Sequence, residues 1–90
     1  MATYHVNVET AGNPDRGQSP RLSLGGVRLE APSMFDLRRK VRSWCEENGI
    51  GGGNWTDPAV CRNGEVIGFM SFNGRVWDRP DYRDAKEVAV

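Results

Sequence analysis

Ninety residues carrying twelve basic and twelve acidic side chains make a chain of zero formal net charge. That length corresponds to one domain, 1–90, which on folding buries roughly 60 to 65% of the surface its unfolded form exposes, so its core is thin. The charge balance argues against a dedicated nucleic-acid domain, no apolar run is long enough for a bilayer, and no start reads as a signal peptide, so the expected location is the cytoplasm.

Tyr4 to Glu9 alternates strictly, with Tyr4, Val6 and Val8 on one side and His5, Asn7 and Glu9 on the other, which predicts a half-buried strand. Thr10 to Pro20 is rich in Gly, Pro, Asn and Ser and reads as a loop. Arg21 to Leu24 and Val27 to Glu30 flank Gly25-Gly26, a pair that supplies the positive φ of a tight hairpin. A turn there places Leu22, Leu24, Val27 and Leu29 on one face.

Ser33 is a good N-cap, with Asp36 three residues on, so a helix is predicted from Met34 to about Asn48. Met34, Leu37, Val41, Trp44 and Cys45 fall on one apolar stripe, and Gly49 is the natural residue beyond the last turn. Ile50 to Pro58 reads as a flexible glycine-rich connector holding Trp55. Two Asn-Gly turns, at 63–64 and 73–74, then separate the runs 59–62, 65–72 and 75–78, which predicts a three-stranded meander. In that register Cys61, Val66, Met70, Phe72 and Trp77 share one face, and Val60, Ile67, Phe69 and Val76 the other. Gly68 inside the middle strand signals a bulge or a close backbone approach. Residues 79–90 read as a tail, with a short helical turn or a docked last strand. The expected fold class is α+β: a small antiparallel sheet of five to six short strands, in the order β-β-β-α-β-β-β, packed against one amphipathic helix.

Little of this sequence points to catalysis. His5 is the only histidine, on the polar side of its strand, and no Cys/His group has zinc spacing. No carboxylates form an evident acid–base pair, so no enzyme, cofactor or metal is expected. Cys45 and Cys61 read as buried free thiols, with a disulfide as the alternative. Asn54-Trp55-Thr56 matches a glycosylation pattern that has no meaning without secretion. The glycine run 49–53 follows a helix, whereas phosphate loops precede one.

The helix charges are more informative. Arg38, Arg39, Lys40 and Arg42 occupy its first half and Glu46 and Glu47 its second, opposite to what the macrodipole favours. Either these are solvated side chains paired with acids elsewhere, or they form a basic ridge that docks on an acidic partner. Phe35, toward the edge of the apolar stripe, either staples the helix start or anchors a partner. Trp55, in a polar loop, either folds back over the core or serves as an interface hot spot.

The strand-rich order around one helix is similar to that of double-stranded-RNA-binding domains, HicB-like antitoxins and small phage-encoded inhibitors such as anti-CRISPR proteins. Element order alone carries the likeness. The RNA-binding family has a second, C-terminal helix with a lysine cluster, where this chain has the mixed-charge segment Asp81 to Val90. The expected function is a non-catalytic protein-binding module, in the style of a phage or mobile-element inhibitor that occupies a surface of host machinery. Its contact residues would be Phe35, Arg38, Arg39, Arg42 and Trp55. The alternative is a small nucleic-acid-binding domain using the basic helix face. No membrane partner is expected, and homodimerisation through an uncovered sheet edge or face is compatible with both readings.

Overall fold

The computed structural model describes residues 2–12, 17, 26–80 and 85–89. It shows the expected α+β class, with one helix on one antiparallel sheet. Among the described residues the strands are β1 (Tyr4–Glu9), β2 (Gly26–Ala31), β3 (Ala59–Arg62), β4 (Glu65–Met70) and β5 (Val76–Trp77), in the spatial order β2-β1-β3-β4-β5. The predicted hairpin partner of β2, at 21–24, lies outside the described residues. Within them β2 pairs with β1, Val6 facing Leu29 and Val8 facing Val27.

Helix α1 spans Met34–Asn48, as its stripe predicts. The Ser33 hydroxyl accepts the Asp36 amide at 3.2 Å and also donates to the Asp36 carboxylate, so the acid serves the cap through the hydroxyl. At the other end Gly49 adopts φ 65°, and the amides of Gly49 and Ile50 both turn back to the Cys45 carbonyl. Such a left-handed stop suits glycine, and it delivers Ile50 into the core. Met34, Leu37, Val41 and Cys45 are buried against Val6, Val8, Val60, Met70 and Val76, with Trp44 packed at the margin.

The meander departs from its predicted register. Asn63 and Gly64 both have positive φ, which is the two-residue turn expected. The second Asn-Gly instead sits in a longer loop, where β4 stops at Met70 and the Ser71 amide reaches the Arg75 carbonyl. This shifts the pairing by one residue, so Phe69 faces Trp77 and Met70 faces Val76. A bulge upstream adds a second shift: Val60 faces Gly68 whereas Cys61 faces Val66, leaving Ile67 as the extra residue. A one-residue slip moves each side chain to the other face. Val60, Met70 and Val76 therefore lie under the helix, and Cys61, Val66, Phe69 and Trp77 lie on the outer face, which corrects the predicted partition.

The connector after α1 is built rather than slack, contrary to its reading as a flexible linker. Gly52–Asn54 form a 3-10 turn, and Asn54, only 2% exposed, holds it. Its side chain accepts the Gly51 amide and donates to the Ala11 carbonyl at 2.9 Å, while the Ala11 amide bonds the Asn54 carbonyl. At the C-terminal end the last described residues dock on β5: the Val88 amide donates to Val76 and the Asp78 amide to Lys86. Among the described residues no helix is long and apolar enough to cross a membrane.

Gly68 is the point of closest packing. A Cβ there would stand 2.5 Å from Val76 Cγ1 and 2.7 Å from the Trp77 carbonyl oxygen. Gly68→Ala is expected to lower unfolding stability by about 1–3 kcal/mol in urea titrations, by forcing β4 and β5 apart. An unchanged midpoint would show that β5 yields without cost.

Candidate functional site

One flank of α1 carries Phe35, Arg38, Arg39, Arg42 and Glu46 at spacings of three and four residues, which makes them surface neighbours. Phe35 is 68% exposed, and the Arg39 guanidinium lies over its ring, 5.8 Å from the centroid. Phe35 thus leans on a cation rather than stapling the helix into the core. Arg39 and Arg42 are exposed.

The four cations of the helix do not behave alike. Arg38 is half-buried, and its Nε donates to the Gly74 carbonyl at 2.8 Å, tying the helix to the β4–β5 loop. Gly74 has φ 88°, and its Cα side lies against the Arg38 stem, since a Cβ there would meet Cδ at 3.6 Å. Lys40 reaches across the opposite flank to the Glu30 carbonyl at 2.6 Å. Two of the basic side chains therefore bond backbone carbonyls, and Arg39 and Arg42 remain as the outward pair.

Between this flank and the β4–β5 loop runs a groove of about 310 Å³. Val41, Cys45 and Ile50 floor it, Arg38, Arg42 and Glu46 form one wall, and Phe72 and Asn73 stand opposite. Phe72, which the sequence pattern puts inside a strand, is 46% exposed. The loop that ends β4 at Met70 puts it on the surface instead. An aromatic beside an Asn-Gly turn is the signal that could have found it. Cys45 is a free thiol on the groove floor, and burial chiefly, with the Glu46 charge second, pushes its pKa up.

Trp55 sits apart from the helix. Its Nε1 donates to the Met70 carbonyl at 2.8 Å, its backbone bridges to Thr10, and its ring meets Phe72 edge-on. It is half-buried and packed against the core, so it joins Phe72 rather than the basic flank. Cys61 is half-buried and free, and the β1–β3 register places it opposite His5, a pairing that sequence distance concealed. No hydrogen bond joins the two side chains. Among the described residues no cluster of three or more His, Cys, Asp or Glu could hold a metal ion. No family model, curated protein or solved structure matches the chain.

Arg38→Ala should cost about 1–2 kcal/mol of stability, because it removes a charged hydrogen bond and a packed stem, whereas Arg39→Ala should stay within about 0.5 kcal/mol. Urea unfolding of the two variants checks this division. For Cys45 the raised pKa means that the native state keeps its proton where the unfolded thiol loses it. Its contribution to stability is therefore complete below the ordinary thiol range and is lost as pH rises through the folded value. In a Cys61→Ser background, alkylation of Cys45 is expected to be slow at neutral pH and to accelerate at higher pH. Glu46→Gln should move that acceleration to lower pH.

Proposed function

We propose that this protein is a binding module for another protein, acting through the helix flank Phe35–Arg39–Arg42 and carrying out no chemistry of its own. The observation that carries this reading is Phe35: a large ring, two-thirds exposed, on a helix whose other large apolar residues pack on the sheet, with a guanidinium held over it. Aromatic and arginine side chains concentrate binding energy at protein interfaces, where a desolvated guanidinium–ring pair gains strength. The mixed sign of the flank, with Glu46 below Arg42, suits a protein surface of mixed charge.

The nucleic-acid alternative draws less support. Phosphate recognition gains from a row of free cations, yet Arg38 and Lys40 bond carbonyls of their own chain. Trp55, an aromatic of the kind that stacks on bases, sits beside Phe72 and away from the basic flank.

Affinity capture with the tagged protein tests the reading, comparing wild type with Phe35→Ala and with Arg39→Glu/Arg42→Glu, at about 0.15 M and about 0.5 M salt. A protein retained by wild type at both salts, and lost by both variants, is the expected result. Equal capture by all three would overturn the assignment of this flank. Retention that collapses with salt, with nucleic acid in the eluate, would favour the alternative.

A further inference from the structure

A second concavity, of about 570 Å³, shares Phe72 and Asn73 with the helix groove and is otherwise separate from it. Trp55, Phe72 and Trp77 line it, together with Asp57. The rings of Trp55 and Phe72 make a corner, their centroids 6.1 Å apart and their planes inclined at 63°. Phe72 rests on the bare backbone of Gly52, where a Cβ would stand 3.6 Å from its ring. Both indoles are anchored at their polar ends, Trp55 Nε1 to the Met70 carbonyl at 2.8 Å and Trp77 Nε1 to the Ser71 hydroxyl at 3.2 Å. With those N–H groups committed, the rings offer a ligand apolar, electron-rich carbon.

Asp57 supplies the charge. It is the ionisable residue in this lining, half-buried and held at φ 50°, a left-handed conformation uncommon outside glycine. No cation or hydrogen-bond donor among the described residues pairs with its carboxylate. Burial accordingly raises its pKa, with no neighbouring positive charge to oppose the effect. A partly desolvated carboxylate without a partner is unfavourable, and a positive ligand would relieve it.

We infer that this trough binds an organic cation, an alkylammonium group seated against Trp55, Phe72 and Trp77 and countered by the Asp57 carboxylate. Ammonium groups are drawn to aromatic faces by the ring quadrupole, and methylated ones gain further because they are poorly hydrated and fill an aromatic recess. The volume is within the range of small-ligand sites. Lysine, its methylated forms and free quaternary amines share this chemistry. The site differs from the helix flank in residues and in the sign of charge it accepts, so either can fail without the other.

The test follows the indole ¹H–¹⁵N signals while choline, tetramethylammonium, N-acetyl-lysine amide or N-acetyl-trimethyllysine amide is added, with sodium chloride matched throughout. 3,3-Dimethylbutanol, which copies the shape of choline without its charge, is the control ligand. Saturable shifts at Trp55 and Trp77 are expected, with Trp44, on the helix, unmoved. The neutral analogue should bind at least about tenfold more weakly than choline, and Asp57→Asn should weaken choline by about tenfold. Asn adopts the left-handed conformation readily, so that variant keeps the fold. Phe72→Leu should weaken binding by about fivefold. Tighter binding of the trimethyllysine amide than of choline assigns the site to a peptide side chain; the reverse assigns it to small quaternary amines. The inference is overturned if no shift saturates, if Trp44 moves with the other two, if dimethylbutanol binds as well as choline, or if Asp57→Asn changes nothing.

Discussion

The approach of β5 to the unsubstituted Cα of Gly68 sets the geometry of this half of the molecule. It brings Val76 and Met70 together beneath the helix and leaves Phe69 and Trp77 on the other side of the sheet. The same register ends β4 at Met70 and releases Ser71 to Gly74 as a loop. That loop supplies the carbonyl that Arg38 grips, the ring of Phe72 and the hydroxyl that fixes Trp77. Both concavities flanking Phe72 are thus products of one backbone contact. A larger residue at position 68 would disturb them together with the core.

The helix solves its unfavourable charge order by geometry rather than by counter-charge. Basic residues near a helix N-terminus oppose the macrodipole by a few tenths to about 1 kcal/mol each. Arg38 and Lys40 offset this by donating to carbonyls outside the helix, one on each flank, and so pin it across the sheet from both sides. Arg39 takes its support from the Phe35 ring. What sequence presents as a continuous ridge is therefore divided into cations that hold the fold and cations that face solvent.

Local signals carried most of the architecture. The Ser33 cap, the apolar stripe and Gly49 locate the helix, because each acts within one turn of chain. The alternation of β1 and the Asn63-Gly64 turn were equally direct. The face assignment of the meander was not legible, since the Ile67 bulge and the longer second loop depend on packing around Gly68, which only the assembled sheet defines. The candidate residues divided in the same manner. Phe35, Arg39 and Arg42 lie on the surface that helical spacing implies, while Arg38 is recruited by a carbonyl thirty-six positions away. Trp55 found its partners through Asn54, whose clamp on Ala11 joins segments forty-three positions apart. No pattern in a glycine-rich stretch announces a link of that kind, nor the recess that Asp57 shares with three aromatic rings.

The segment Lys86 to Val88, bridged to β5 at Glu87, has a consequence for how the sheet meets other chains. A terminal strand displays a row of unused amides and carbonyls onto which a neighbouring polypeptide can stack. Here the Val76 carbonyl and the Asp78 amide are already occupied from within. On that border the protein covers its own backbone: a second molecule that paired with β5 itself would first have to peel away Val88, whose side chain packs on the core.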